Sequence, residues 1–398
     1  MSRSGSFAPP VADLAALGRK GLVAGLAGLA ASAAGFAMAP DRFFRSWLIG
    51  WVLVFGVALG AHAILLVSTL SRGAWGLVVR RTLGAAAETI PLFALFALPV
   101  LLGLGSLYPW ADAARVAKDE VLHHQAVYLN PAFFVLRLAL YFLIWGGGAF
   151  LLTRLDTSQD ASADPAGVER KMQVVAGPAL IFHILAVTFF AVDVLMSLNP
   201  RWFSTIYGLY LLGGQAVSGM AFLILVALFL SQREPMSRVL SASHVHDWGK
   251  LLLAFMMLWS YFAFSQFIII WSGDLPEEIG FYKDRFTGGW GAVALGLVLF
   301  HFAVPFFLLL SRDLKRDVKK LSVVAALLLA MRWVDIWWLA IPAFSPKQVS
   351  FHWLDLATPL AMGGIFLFAF TRRLASRPLL PAKDPHVEAA LQPEAHHG

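Results

Sequence analysis

The chain contains no cysteine in its 398 residues. That absence excludes disulfides, thiolate-held iron–sulfur clusters and C-x-x-C-H haem attachment within it. Charge is scarce as well: Asp, Glu, Lys and Arg make up 14% of the residues, against about 25% in soluble domains. With 59% hydrophobic residues and a mean hydropathy of +0.71, the composition is that of a polytopic membrane protein. The net charge of +7 lies mainly in short loops, so it speaks of membrane topology and not of nucleic-acid binding. The opening "MSRSGSFAPPVADLAALGRK" lacks the basic, apolar, small-residue order of a cleaved signal peptide.

What is present is a series of apolar runs. A helix crosses the hydrocarbon in about 20 residues. Ten runs meet that length, near 20–39, 46–70, 87–108, 131–153, 173–195, 204–231, 248–271, 289–311, 320–341 and 352–371. The third is the least clean, because "VVRRTLGAAAETIP" precedes it. Basic residues number 21 on the side that holds both termini and 8 on the other, which puts both termini in the cytoplasm. The expected architecture is all-α and multi-pass, with a ten-helix membrane domain over 20–371. A cytoplasmic arm (1–19) precedes it and a cytoplasmic proline-rich tail (372–398) follows, either an ordered strap or a disordered end. "DTSQDASADPAGVER" reads as a flexible connector.

Two runs end alike. Span 5 closes with "AVDVLMSLNP" and span 9 with "WVDIWWLAIP", each placing proline seven residues beyond an aspartate (Asp193 to Pro200, Asp335 to Pro342). Spans 4 and 8 close with "LLTR" and "LLLSR". The pattern suggests two parallel four-helix bundles, spans 2–5 (about 46–195) and 6–9 (about 204–341), flanked by spans 1 and 10.

Ionisable and polar side chains lie at staggered depths in both bundles. In the first they are Glu88, His62, His183 and Asp193; in the second, Tyr261, Ser265, Gln266, His301, Arg332 and Asp335. Carboxylate, imidazole and hydroxyl at stepped heights are the parts of a proton relay. Each also has a plainer reading. A membrane histidine satisfies an interhelical hydrogen bond, Arg332 and Asp335 at i and i+3 neutralise each other, and Glu88 starts a helix at the interface. Asp193 stands out because no cation lies a turn away. The loop histidines lack metal-ligand spacing. A b-type haem between His62, His183 and His301 is disfavoured, since no span carries a suitably spaced pair.

The runs "DVLMSLNPRWFSTIYGLY", "HDWGKLLLAFMMLWSYFAFSQFIIIWSGDLPEEIGFY", "MRWVDIWWLAIP" and "RPLLPAKDPHVEAAL" resemble the F subunit of alternative complex III, a bacterial quinol:electron-acceptor oxidoreductase. That subunit family belongs to the polysulfide-reductase membrane-subunit (NrfD-like) superfamily. The resemblance spans about span 5 to the tail; spans 1–4 match in hydropathy only, and Val194 stands where tryptophan is expected. It implies ten helices in two bundles in the bacterial inner membrane, with no redox metal in this chain. It implies a homologous NrfD-like membrane subunit that oxidises quinol, haem c and iron–sulfur subunits on the outer face, and a terminal oxidase as a further partner. The chain would scaffold these and carry part of a proton route through Asp193, His183, Gln266, His301, Arg332 and Asp335. Two alternatives stay open. The chain itself binds quinone through Asp193, Trp202, Tyr207 and Gln266, or it is a stand-alone ion or solute transporter.

Overall fold

The computed structural model describes residues 7–391. Among the described residues, ten helices are long and apolar enough to span a membrane. They are α1 (Val11–Met38), α2 (Pro40–Ser71), α3 (Arg80–Leu102), α4 (Pro131–Gln159), α5 (Pro165–Val194), α6 (Tyr207–Leu230), α7 (Ala242–Gly273), α8 (Trp290–Leu310), α9 (Val318–Ala340) and α10 (Leu354–Ala375). No strand occurs among the described residues.

Proline explains the irregular spans. α3 is a stack of pieces, Arg80–Ala87, Ile90–Phe96 and Leu98–Leu102, and the last two carry proline as their second residue, Pro91 and Pro99. Proline lacks an N–H and disfavours helical backbone at the residue before it. The indoles of Trp47 and Trp51 on α2 donate to carbonyls of these pieces at Phe96 and Phe93. In α10, Pro359 leaves the Asp355 carbonyl without its usual helical donor, and Trp333 Nε1 supplies one at 2.8 Å. α8 contains a π-helical turn, Leu297–Ala303, just before Pro305.

The centre of the molecule is the crossing of α2 and α6. α2 packs against the first piece of α3 and against α10, α6 packs against α7 and α9, and α5 touches α2, α4 and α6. Gly60 and Gly219 let the two central backbones touch, since a Cβ on either would strike the other helix's main chain. Small residues permit this approach where helices meet in lipid. α1 packs along α10 through Gly18, Gly21, Gly25, Gly28 and Gly35, and its far side is exposed at Val23, Leu26 and Met38.

Two expectations need revision, and the open choice for the tail is decided. α1 begins at Val11, so Arg19 and Lys20 belong to the helix and the arm is shorter than 1–19. The stretch 156–170 is not a loose connector. α4 runs to Gln159, Asp164 caps α5 through the Gly167 N–H at 2.8 Å, and Asp156 is buried between Arg80 and Arg81. The tail, up to Leu391, is an ordered strap. Leu379 N–H donates to the Phe7 carbonyl at 2.9 Å, Asp384 pairs with Arg80 at 2.8 Å, and Arg377 pairs with Glu88. Residues 392–398, the rest of the expected tail, lie outside the described residues.

Candidate functional site

Asp193, near the C-terminal end of α5, is 1% exposed and held from α4. Arg137 grips it with a two-nitrogen fork, Nε to Oδ2 at 2.8 Å and Nη2 to Oδ1 at 3.0 Å, and Tyr141 OH donates to Oδ2 at 2.7 Å. Arg137 and Tyr141 are four apart, so one helix face presents both. Arg137 also donates to the Tyr128 carbonyl at 2.7 Å and lies over the Tyr128 ring at 3.9 Å. The missing cation of the sequence reading thus comes from the neighbouring helix and not from a turn away.

Asp335 on α9 is fully buried and gathers donors from three helices. Tyr210 OH of α6 donates at 2.6 Å, Trp259 Nε1 of α7 at 3.0 Å, and Arg332 pairs with it from the preceding turn. Gly214 opposite leaves room for the Arg332 guanidinium, which any Cβ there would strike. His301 joins by stacking. Its ring centroid is 3.9 Å from that of Trp259, and neither ring nitrogen has a hydrogen-bond partner among the described residues. It sits in the π-helical turn of α8, a distortion that recurs at functional sites.

Deep between α2 and α5, His62 and His183 meet with Nδ1 atoms 3.2 Å apart. One must donate and the other accept, so the pair holds a single proton between them and shows one donor and one acceptor at its Nε2 ends. Neither Nε2 has a protein partner. Trp145 stands against His183, with ring centroids 6.3 Å apart.

The remaining sequence candidates scatter. Gln266 is buried and donates to Tyr282 OH at 3.1 Å. Burial pushes the Tyr282 hydroxyl up to about 12. Trp202 stacks on Phe281 at 3.7 Å and meets Tyr207 edge-on. Beside that stack a groove of about 330 Å³ is lined by Asp119, Arg201, Glu277 and Asp284 among others. Arg285, fully buried, lies 3.4 Å over the Phe281 ring, and burial brings its pKa down to about 10. Asp193 belongs to the separate α4–α5 cluster. Tyr261 is 62% exposed on the outer surface of α7, Ser265 is half-buried, and neither reaches Asp335. Glu88 pairs with Arg377 and lies 3.9 Å from Arg373, so it ties the tail to α3.

Comparison with family models finds no match, and no curated protein matches the chain. The site therefore rests on its own geometry. Sequence reasoning missed Arg137 as a partner, along with Tyr141, Tyr210 and Trp259. It also missed Asp355, a fully buried carboxylate in the first turn of α10 that accepts from Arg42 at 2.6 Å, Ser46 at 2.5 Å and Trp337 at 3.1 Å. The rungs are not in contact throughout. Asp193 and His183 are ten residues apart on α5, about 15 Å of helix, with buried Phe190 and Val187 between them. Among the described residues no group of three or more His, Asp or Glu side chains is arranged to hold a metal ion.

Proposed function

We propose that this chain is a non-catalytic integral subunit of a quinol-oxidising respiratory complex in a bacterial cytoplasmic membrane, where it scaffolds its partners and carries part of a proton route. In this reading α2–α5 and α6–α9 are two four-helix bundles flanked by α1 and α10, and both termini face the cytoplasm. The observation that carries it is the pair of buried aspartates, Asp193 and Asp335, each hydrogen-bonded by a tyrosine hydroxyl inside helices of membrane length. Ionisable groups at such depth are expensive, and their usual reason is function. The resemblance to the F subunit of alternative complex III supplies the partners: a homologous NrfD-like subunit that oxidises quinol, iron–sulfur and haem c subunits, and a terminal oxidase. Proton movement here would be driven by quinol oxidation next door.

The test is proton translocation per electron in vesicles containing the whole complex. Asp193→Asn and Asp335→Asn should each lower it while the complex still assembles. An unchanged ratio in both variants would remove the relay.

A second reading, that the chain itself holds the quinol, draws on the outer aromatic run of Trp202, Phe281, Tyr207 and Tyr282 beside Gln266. A photoactive quinone that labels this run would favour it. A stand-alone transporter would purify as a solitary, transport-competent chain.

A further inference from the structure

The inner end of α7 and α8 carries a charge cluster that the aspartate sites do not use. Lys315 lies in the short helix Arg312–Arg316 that joins α8 to α9, and it is only 8% exposed. Its stem fills a notch at Gly249 of α7, where a Cβ would come within 2.6 Å of Lys315 Cγ. Burial, then the neighbouring Lys250 ammonium, lower its pKa, and no carboxylate offsets them among the described residues. His246, one turn before Lys250, is within electrostatic range of Lys250, Lys315 and Arg312. Its Nδ1 is buried without a protein hydrogen-bond partner.

Three carboxylates are near: Asp313 shares the short helix with Arg312 and Lys315. Asp247 is 3.1 Å from Lys250, and Asp317 is occupied in capping α9 through the Lys319 and Lys320 N–H groups. The cluster keeps a positive balance, and no carboxylate stands among the charges that act on Lys315.

Along the same two helices the membrane-facing surface is bare and apolar. On α8, Phe307 is 70% and Leu310 54% exposed; on α7, Leu258 is 46% exposed. Cations at the end of an exposed apolar wall match an amphiphile with a negative head.

We propose that Lys315, Lys250, His246 and Arg312 hold the phosphate of one anionic phospholipid, with its acyl chains lying along α7 and α8. The lysines supply point charges for a phosphodiester, and basic pockets between helices at the cytoplasmic interface are suited to such headgroups. A zwitterionic lipid offers no net charge to balance the cluster.

The full-length chain, delipidated in neutral detergent, should retain one phosphatidylglycerol in native mass spectrometry and release phosphatidylcholine. Lys250→Gln and Lys315→Gln should each weaken retention roughly fivefold, and together roughly 25-fold. Lys347→Gln, on the outer side, should leave it unchanged. Equal retention of phosphatidylcholine, or of phosphatidylglycerol by both lysine variants, would overturn the proposal. Displacement of the lipid by millimolar inorganic phosphate would do so too, by assigning the cluster to a soluble anion. Lys250 is exposed, so its variant keeps the test decisive if Lys315→Gln fails to fold.

Discussion

Asp193 and Asp335 each stand seven residues before a proline, but they are held by different means. On the α4–α5 side one arginine from the adjacent helix provides two of the three side-chain hydrogen bonds to Asp193. On the α6–α9 side the arginine comes from the same helix, and two further helices donate a hydroxyl and an indole N–H. A carboxylate bound by one dominant cation is a rigid ion pair. One surrounded by a hydroxyl, an indole and a guanidinium can lose a single donor and remain solvated. The histidines differ in the same sense. His62 and His183 solvate each other through a shared proton, whereas His301 lies against an indole with both nitrogens open.

The largest effect should come from Arg137→Ala. Removing one partner of a buried pair costs about 3–5 kcal/mol, and only Tyr141 would remain on Asp193. Arg332→Ala leaves two donors on Asp335, so its loss in thermal stability of the detergent-solubilised protein should be clearly smaller. Equal losses would erase the contrast. Next, Trp259→Phe keeps a ring over His301 and deletes one hydrogen bond to a charged group, at a cost of about 1.5–3 kcal/mol. Chemical-shift or fluorescence changes confined to the α6–α9 side would localise that loss. Smaller still, Glu88→Gln should cost about 1 kcal/mol or less. Its clearer sign is faster proteolysis of residues 378–391, because the strap loses its Arg377 anchor. Tyr261→Phe should stay within about 0.5 kcal/mol, as surface substitutions do. A larger effect would bring that hydroxyl back into the Asp335 site.

Ten spans were legible because each crossing demands a long apolar run, and the expected and observed helices overlap in every case. Their ends were less so. α1 begins nine residues before the expected 20, since Gly18 and Gly21 belong to its seam with α10 and hydropathy does not register a packing face. Hydropathy also misread 156–170, a polar stretch in which Asp156 is buried by arginines 75 and 76 residues earlier in the chain. The site was half legible. Buried aspartates and histidines announce themselves within an apolar run, but their partners come from other helices. Arg137 was visible inside span 4, yet nothing local tied it to Asp193, 56 residues on. Tyr210 and Trp259 were hidden among the many aromatics of their spans, and only helix rotation distinguishes them from the exposed Tyr261.

The glycine seam joins α1 to α10, two helices far apart in the chain. During synthesis α1 must therefore wait in the bilayer, its notched side bare, until the ribosome has passed Leu354. Then α10 arrives and the Phe7–Leu379 hydrogen bond closes the circuit. A nascent chain halted before residue 354 would leave α1 unmatched, which makes that helix the natural place for quality control to detect an unfinished copy.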